Sequence, residues 1–505
     1  MLDEDIMNSA VKRTALQWLV IGIAALITIA TSATDEFGGM TADSSRYLNA
    51  AEHILESHTL WVPNDGRAPA GDEFFATWPV GYPFLIACLA FVLPVGTFWA
   101  SKLVNLLFLG LVVTSTHRRY GTEGLIASLV LTCANMLVLT SLTLSDSIFV
   151  CLLILLSNTI TTALDSKSGV RITTLILLLL LLVGAMSTRY VGVSALPVTV
   201  VAAAMLFRRG RRTDAVKVLC TSIIAAALFG LYVWVNIVNT GYPTGIPRHA
   251  PPEPAVEILA SFIISIVGAI ALPLVSWNAS SLIETAIFVV CSLAAVAVGW
   301  RVIKSRPITV DRHYHDKLLV LAILSGTYII VLLYLRLTTY FDSIDNRLIA
   351  PGVIPLMYGV VLYGLARYPQ ARMWIVAFVA VSYTLGVAAR GGTIFNRVNA
   401  TSYSEASTAR QDFYANVPDS SIVIQPSHHL RYLRPNVHVV FPYRQPYDAE
   451  SETIESFLGS LDWGRRIFLD TRYTDASQAG YHLSVLRWIQ SFPSDTLVEV
   501  RRSSW

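Results

Sequence analysis

Residues 15–33 read Ala15-Leu-Gln-Trp-Leu-Val-Ile-Gly-Ile-Ala-Ala-Leu-Ile-Thr-Ile-Ala-Thr-Ser-Ala33. Shortly after them comes Thr41-Ala-Asp43-Ser-Ser-Arg46-Tyr47-Leu48-Asn-Ala-Ala51-Glu-His-Ile54-Leu55. The first stretch is an uncharged apolar run of about the length a helix needs to cross a bilayer, roughly 20 residues. It exceeds the apolar core of a signal peptide, roughly 7–15 residues, and reads as a retained first span. Lys12 and Arg13 hold its start in the cytoplasm. The second stretch carries apolar residues at 47, 48, 51, 54 and 55, which is one face of a helix. It predicts an amphipathic helix lying along the outer membrane surface. Thr41 or Asp43 supplies its N-cap.

The remaining composition agrees with a bilayer solvent. The 505 residues are 54% hydrophobic and only 14% charged, with a mean hydropathy of +0.56. A soluble globular chain carries roughly 25% charged residues. The net charge of +3 gives no reason to expect a nucleic-acid partner. Cys88, Cys133, Cys151, Cys220 and Cys291 all fall in apolar stretches, with no paired spacing, and read as small buried hydrophobes.

Candidate spans are 15–33, 98–116, 122–141, 146–164, 171–188, 190–207, 215–238, 280–300, 317–337, 347–366 and 372–390. Two more apolar stretches, 80–95 and 258–276, contain prolines and suit interfacial or re-entrant helices. With both kept from crossing, every basic cluster lies in the cytoplasm: His117–Arg119, Lys167–Arg171, Arg208–Arg212, Arg301–Lys317 and Arg367–Arg372. The expectation is a polytopic α-helical protein of about eleven spans in the cytoplasmic membrane. Its N-terminus is inside and its C-terminus outside. Residues 1–390 form the membrane domain with an outer loop at 34–97. Residues 391–505 alternate short β-like runs (421–424, 437–441, 466–469) with helical stretches (452–461, 481–492). They predict a small extracytoplasmic α/β domain.

This topology gathers polar residues on one membrane face. Asp43 starts the first-loop helix. Asp146, in Leu142-Thr-Leu-Ser-Asp146, stands where one span ends and the next begins. It is either a helix cap or a functional acid, since ionisable residues are costly within apolar sequence. Arg189 and Arg347 lie at span ends on the same face, as snorkelling side chains or as a pair suited to a phosphate. A carboxylate beside them can act as general base towards a hydroxyl. Arg46 and Tyr47 share the helix with Asp43. Tyr82, in Trp78-Pro-Val-Gly-Tyr82-Pro83, is a weaker candidate. Arg248 and His249, in the second outer loop, can contact an anionic headgroup. No His-Glu-x-x-His, Gly-x-Ser-x-Gly, phosphate-loop or dinucleotide fingerprint occurs.

A span, then Asp43-x-x-Arg46-Tyr47 on an outer helix, then Pro79-x-Gly-Tyr82 leading into an apolar run, resembles the GT-C glycosyltransferases. The aminoarabinose lipid A transferases and protein O-mannosyltransferase-like group are the nearest in pattern. Leu-Ser-Asp146, Arg189-Tyr-Val-Gly-Val-Ser-Ala-Leu-Pro197 and Arg347-Leu-Ile-Ala-Pro351 extend the match over roughly 15–390. The resemblance implies sugar transfer with inversion, from a polyprenyl-phosphate donor to a hydroxyl on a lipid, glycan or protein. Asp43 would be the general base and Asp146 a second acid, with both holding a divalent metal where one is used. Arg46, Tyr47, Tyr82, Arg189, Arg248, His249 and Arg347 would bind substrate. Ser44 stands where many relatives have Glu, and Trp78 and Arg189 stand where the aminoarabinose group has lysine. The rival class is a transporter or flippase of lipid-linked sugars. It calls for repeated halves and mid-span charges, and neither is seen.

Overall fold

The computed structural model of the chain describes residues 2–34, 41–63, 72–248, 250–251, 253–271, 296–339, 344, 346–399, 417–419, 421–424, 438–440, 465–470 and 497–500. The chain divides into two compact units. One comprises 1–33 with 76–395, and the other 34–75 with 396–505.

The first unit is a helical bundle. Its helices are α1 (Leu2–Thr34), α3 (Gly81–Val92), α4 (Thr97–Ser128), α5 (Ala134–Ser141), α6 (Ser145–Asp165), α7 (Ile172–Thr188), α8 (Leu196–Arg208), α9 (Arg212–Thr240), α10 (Ala255–Ala271), α11 (Arg312–Thr338), α12 (Asn346–Arg367) and α13 (Arg372–Asn399). Helix α2 (Ala42–Glu56) belongs to the second unit. Among the described residues eight helices are long and apolar enough to cross a membrane. The chain is a multi-pass integral membrane protein.

The expected span 122–141 is not a continuous helix. Helix α4 is two helices meeting at Gly121, whose φ of 58° and ψ of −136° break the ladder. The chain then passes through a 3-10 turn at Leu129–Thr132 before α5 begins. Only glycine adopts that backbone at little cost. Most of the expected span 280–300 lies outside the described residues. Residues 80–95 yield only the 12-residue α3, about 18 Å long and too short for a hydrocarbon core of about 30 Å.

Helix α6 is the centre of the bundle, with nearly every residue from Ser145 to Leu164 buried. In apolar surroundings each buried polar group needs a partner within the protein. At the far end of α6 from Asp146, the basic clusters read from the sequence meet these needs. Arg209 Nη2 donates to both carboxylate oxygens of Asp316, at 2.7 and 2.6 Å. Arg119 pairs with Asp165, and Arg211 with Asp214 at 2.7 Å. Arg209 and Arg211 also donate to the Leu164 carbonyl, at 3.1 and 2.9 Å. The ends of α6, α8, α9 and α11 are tied in this way.

Deeper in the bundle, Lys317 is fully buried. Its ammonium donates to Asn158 Oδ1 at 2.6 Å, to Ser157 Oγ, and to the Ile154 carbonyl at 3.4 Å. Three N–H donors thus meet three acceptors. The Tyr358 ring lies 5.5 Å away as a cation–π partner.

In the second unit, β1 (Trp61–Pro63) and β2 (Asp72–Phe74) pair antiparallel. Strands β3 (Ile422–Ile424), β4 (His438–Val440), β5 (Ile467–Asp470) and β6 (Leu497–Val500) form a sheet of order β4-β3-β5-β6. The first three are parallel and β6 runs antiparallel to β5. Strands β3, β4 and β5 fall on the three β-like runs of the sequence. The runs 452–461 and 481–492 lie outside the described residues.

Breaking the Lys317 network at one partner is expected to cost more than removing the charge. Asn158→Leu strips an acceptor from a buried ammonium, at about 2 kcal/mol. Lys317→Met fills similar volume with apolar atoms and is expected to lie within about 1 kcal/mol of the wild type. Thermal unfolding of detergent-purified protein checks the order of the two midpoints.

Candidate functional site

Asp146 enters the first turn of α6. The N-cap position is Leu144, which makes no side-chain cap bond, so Asp146 is not the cap. Its carboxylate is nearly inaccessible and is ion-paired with the Arg189 guanidinium. The positive end of the α6 dipole adds to the stabilisation of this anion. Arg189 is the residue on which α7 ends. Its extended backbone (φ −148°, ψ 133°) turns the chain into a 3-10 segment, Tyr190–Ala195. Gly192 is needed there, because a Cβ at that position would stand 2.3 Å from the Ala185 carbonyl oxygen. That close approach folds the segment back onto α7 and holds Arg189 towards α6.

Tyr190 anchors the same turn on its other side. Its hydroxyl donates to the Ala76 carbonyl at 2.5 Å and accepts from Asn236 Nδ2 at 3.0 Å. With its only proton spent on Ala76, its 3.3 Å contact with the Tyr232 hydroxyl has Tyr232 as donor. The two rings stack at 6.1 Å with 17° between planes. Asn236 also donates to the Pro243 carbonyl at 3.1 Å, which fixes the start of the loop carrying Arg248. Arg248 donates to Thr244 Oγ1 at 3.1 Å and is otherwise exposed. His249 lies outside the described residues.

Arg347 stands in the first turn of α12 and is half-buried. The Tyr328 hydroxyl donates to the next carbonyl, Leu348, at 2.7 Å, which fixes this helix start against α11. Tyr82 is fully buried in α3, its hydroxyl 3.5 Å from the Ser101 carbonyl.

Asp43, Arg46 and Tyr47 belong to the second unit. The expected alternative N-caps of α2 resolve in favour of Thr41. Its hydroxyl accepts from Ser44 N at 3.3 Å, while Ser44 Oγ accepts from Thr41 N at 2.8 Å. This is a capping box, with serine in the position usually held by Glu or Gln. Asp43 sits in the first turn without being the cap. Arg46 Nη1 lies 3.8 Å from Glu73 Oε1. Burial draws the Arg46 pKa down from its ordinary value, and the carboxylates of Glu73 and Asp43 oppose that shift. Tyr47, Leu48 and Ala51 form the buried face of α2.

Sequence reading missed the partners Tyr232 and Asn236, which sit in an apolar run with nothing to mark them. It also missed the Glu253–Arg336 pair, at 2.8 Å, which ties the loop after α9 to the last turn of α11. Among the described residues no three His, Cys, Asp or Glu side chains converge to cage a metal ion. Asp146 is engaged by the Arg189 guanidinium.

Two outcomes are expected. Asp146→Asn or Arg189→Leu alone leaves a buried partner uncompensated and costs about 3 kcal/mol. The double variant is expected to cost less than the sum, which a double-mutant cycle on unfolding midpoints measures. The Arg336 hydrogen bond holds the Glu253 carboxyl below its ordinary pKa. A depressed acid contributes its stability above the unfolded value and loses it as pH falls through the folded one. Protease cleavage in the loop 241–254 is therefore expected to rise only below about pH 4.3, the usual glutamate value.

No protein-family model matches the sequence, and no curated protein matches it either. Solved structures do match. ArnT from Cupriavidus metallidurans in the apo state aligns over 90% of this chain and 93% of its own, at 12% identity and a TM-score of 0.56. The same protein bound to undecaprenyl phosphate aligns over the same shares, at 12% identity and a TM-score of 0.53. The archaeal oligosaccharyltransferase AglB from Archaeoglobus fulgidus, in complex with an inhibitory peptide and a dolichol-phosphate, aligns over 97% of this chain and 74% of its own, at 12% identity and a TM-score of 0.47. ArnT is an aminoarabinose lipid A transferase of the GT-C class. At such identity the likeness is one of fold: the chain has the fold of ArnT.

Proposed function

We propose that the protein transfers a sugar from a polyprenyl-phosphate donor to a hydroxyl acceptor at the membrane face that bears Asp146 and Arg189. The observation that carries this reading is the buried Asp146–Arg189 pair, set at one end of a bundle whose fold is that of ArnT. The ArnT structure bound to undecaprenyl phosphate supports the choice of donor class. The end of the bundle with the buried arginine–aspartate pairs of α6, α8, α9 and α11 carries the basic clusters and faces the cytoplasm. The catalytic end and residues 391–505 then face outward.

The acceptor oxygen attacks the anomeric carbon of the donor and forms the new glycosidic bond with inversion. The bond from that carbon to the phosphate oxygen breaks, and polyprenyl phosphate leaves with the electron pair. The acceptor proton passes to Asp43. Negative charge grows on the leaving phosphate, where fixed cations are most effective. Arg189 and Arg347 supply that charge. Arg189 is oriented by Asp146 and offers its remaining N–H donors to the phosphate. Arg248, on the anchored loop, is a further phosphate ligand, and Asp146 orients the sugar or acceptor. Arg46 and Tyr47 set the position of Asp43 on α2.

The test uses purified protein in lipid nanodiscs, with a panel of radiolabelled undecaprenyl-phosphate sugars and lipid A, phospholipid and peptide acceptors. Wild type is expected to release undecaprenyl phosphate with transfer to one acceptor. Asp43→Asn is expected to lower that rate by about 10²–10⁴-fold with an unchanged unfolding midpoint. In sealed proteoliposomes, movement of intact donor across the bilayer without transfer would overturn the enzyme reading and favour a flippase.

A further inference from the structure

Lys102 is a second fully buried lysine, and it lies at the Asp146 end of the bundle rather than the Lys317 end. It sits in α4 on one helical face with Phe98, Ser101 and Asn105, at spacings of three and four residues. That face grips the connection between α5 and α6. Lys102 Nζ lies 2.8 Å from Thr143 Oγ1, and Ser101 Oγ lies 2.9 Å from the same oxygen. Asn105 Nδ2 donates to the carbonyls of Thr140 at 3.2 Å and Leu142 at 3.1 Å. One helical turn on, the Thr140 and Ser147 hydroxyls meet at 3.0 Å. Ser101, Lys102, Asn105, Thr140, Thr143 and Ser147 are all fully buried.

Donor counting fixes the direction of this chain. Ser101 gives its only hydroxyl proton to the Phe98 carbonyl at 2.7 Å. At its contact with Thr143 it must therefore accept, and Thr143 must donate. Thr143 is left with lone pairs, one of which takes the N–H of Lys102. The order is Lys102 to Thr143 to Ser101 to the Phe98 carbonyl. Thr143 stands three residues before Asp146, between the extended backbones of Leu142 and Leu144. Leu142 N closes α5 on the Val138 carbonyl at 3.0 Å and Leu144 is the N-cap of α6, so Thr143 is the linking residue, and its hydroxyl is held by Lys102 and Ser101.

We propose that Lys102 is a positioning residue: acting through the Thr143 hydroxyl, its buried ammonium sets the turn that presents Asp146 to Arg189 and to substrate. The proposal rests on the reading of Asp146 as a site acid in glycosyl transfer. A displaced reacting group costs turnover more than ground-state binding, since misplacement of about 1 Å is worth about 10²-fold.

The experiment compares Lys102→Met, Thr143→Val, Thr143→Ser and the Lys102→Met/Thr143→Val pair, in nanodiscs with the undecaprenyl-phosphate sugar panel. Thr143→Val and Lys102→Met are each expected to lower kcat by about 30-fold, with donor KM within about two-fold of wild type. Thr143→Ser keeps the hydroxyl and is expected to stay within about three-fold of wild-type kcat, and the double variant to be no worse than the poorer single one. Wild-type kcat in folded Thr143→Val overturns the proposal. So does a loss confined to donor KM, which would make Lys102 a direct phosphate ligand. Should Lys102→Met fail to fold, Ser101→Ala deletes one hydroxyl of the chain and is expected to lower kcat about five-fold; an unchanged kcat there also overturns it. Hydrogen–deuterium exchange of residues 140–147 separates this proposal from the enzyme reading. If wild type transfers no sugar, that reading falls. Faster exchange in Thr143→Val then still supports the positioning of the turn, and unchanged exchange removes it.

Discussion

The Asp146–Arg189 pair joins three pieces of chain at one point: the start of α6, the end of α7 and the 3-10 turn that follows. A carboxylate and a guanidinium removed from water each lose several kcal/mol of solvation, and their mutual attraction repays this only when the geometry is held. The neighbouring structure does that holding. Gly192 lets the turn close onto α7, and Tyr190 bonds to Ala76 and Asn236 on the opposite side. A pair that adds little net stability yet receives this much support fits a site where position matters more than energy.

The same solvation constraint explains the opposite end of α6. A helix buried along nearly its whole length has no water for its polar residues or its last carbonyls. Arg209 and Arg211 both reach the Leu164 carbonyl, close to the C-terminus of α6, where a cation also meets the negative end of the dipole. The arginines that serve topology by staying in the cytoplasm therefore also finish a helix. Lys317 and Asn158 extend this rule inward, because a buried ammonium is tolerated when all of its donors are met.

Much of this was legible in the sequence, because bilayer length and charge asymmetry are strong, local signals. The 3.6-residue pattern at 47, 48 and 51 found α2 and its buried face. The three β-like runs of the tail found β3, β4 and β5. The Asp146–Arg189 contact was legible only as two residues on a common face. Nothing in their 43-residue separation says that they touch. The break at Gly121 falls between the expected spans 98–116 and 122–141, but the 3-10 turn at Leu129–Thr132 escaped detection because an apolar window averages over it. Likewise Thr41 and Asp43 are equal candidates for a cap until the backbone shows which hydroxyl meets Ser44 N.

Lys102 shows why the least legible residues are the ones that link fold to function. In sequence it is one lysine at the head of an apolar run, and a snorkelling side chain is the ordinary explanation. Burial removes that explanation, because an ammonium with no access to water must be met by acceptors within the protein. The Thr143 hydroxyl accepts from it and gives its own proton to Ser101, whose proton is turned to the Phe98 carbonyl. Three side chains from two distant segments thus determine one another's roles, and no single one of them carries a recognisable signal. Ser44, beside Asp43, follows the same logic: its hydroxyl closes the capping box with Thr41 and so sets the start of the helix that carries Asp43. In a protein whose polar groups are few, each is set by the partner that burial makes obligatory.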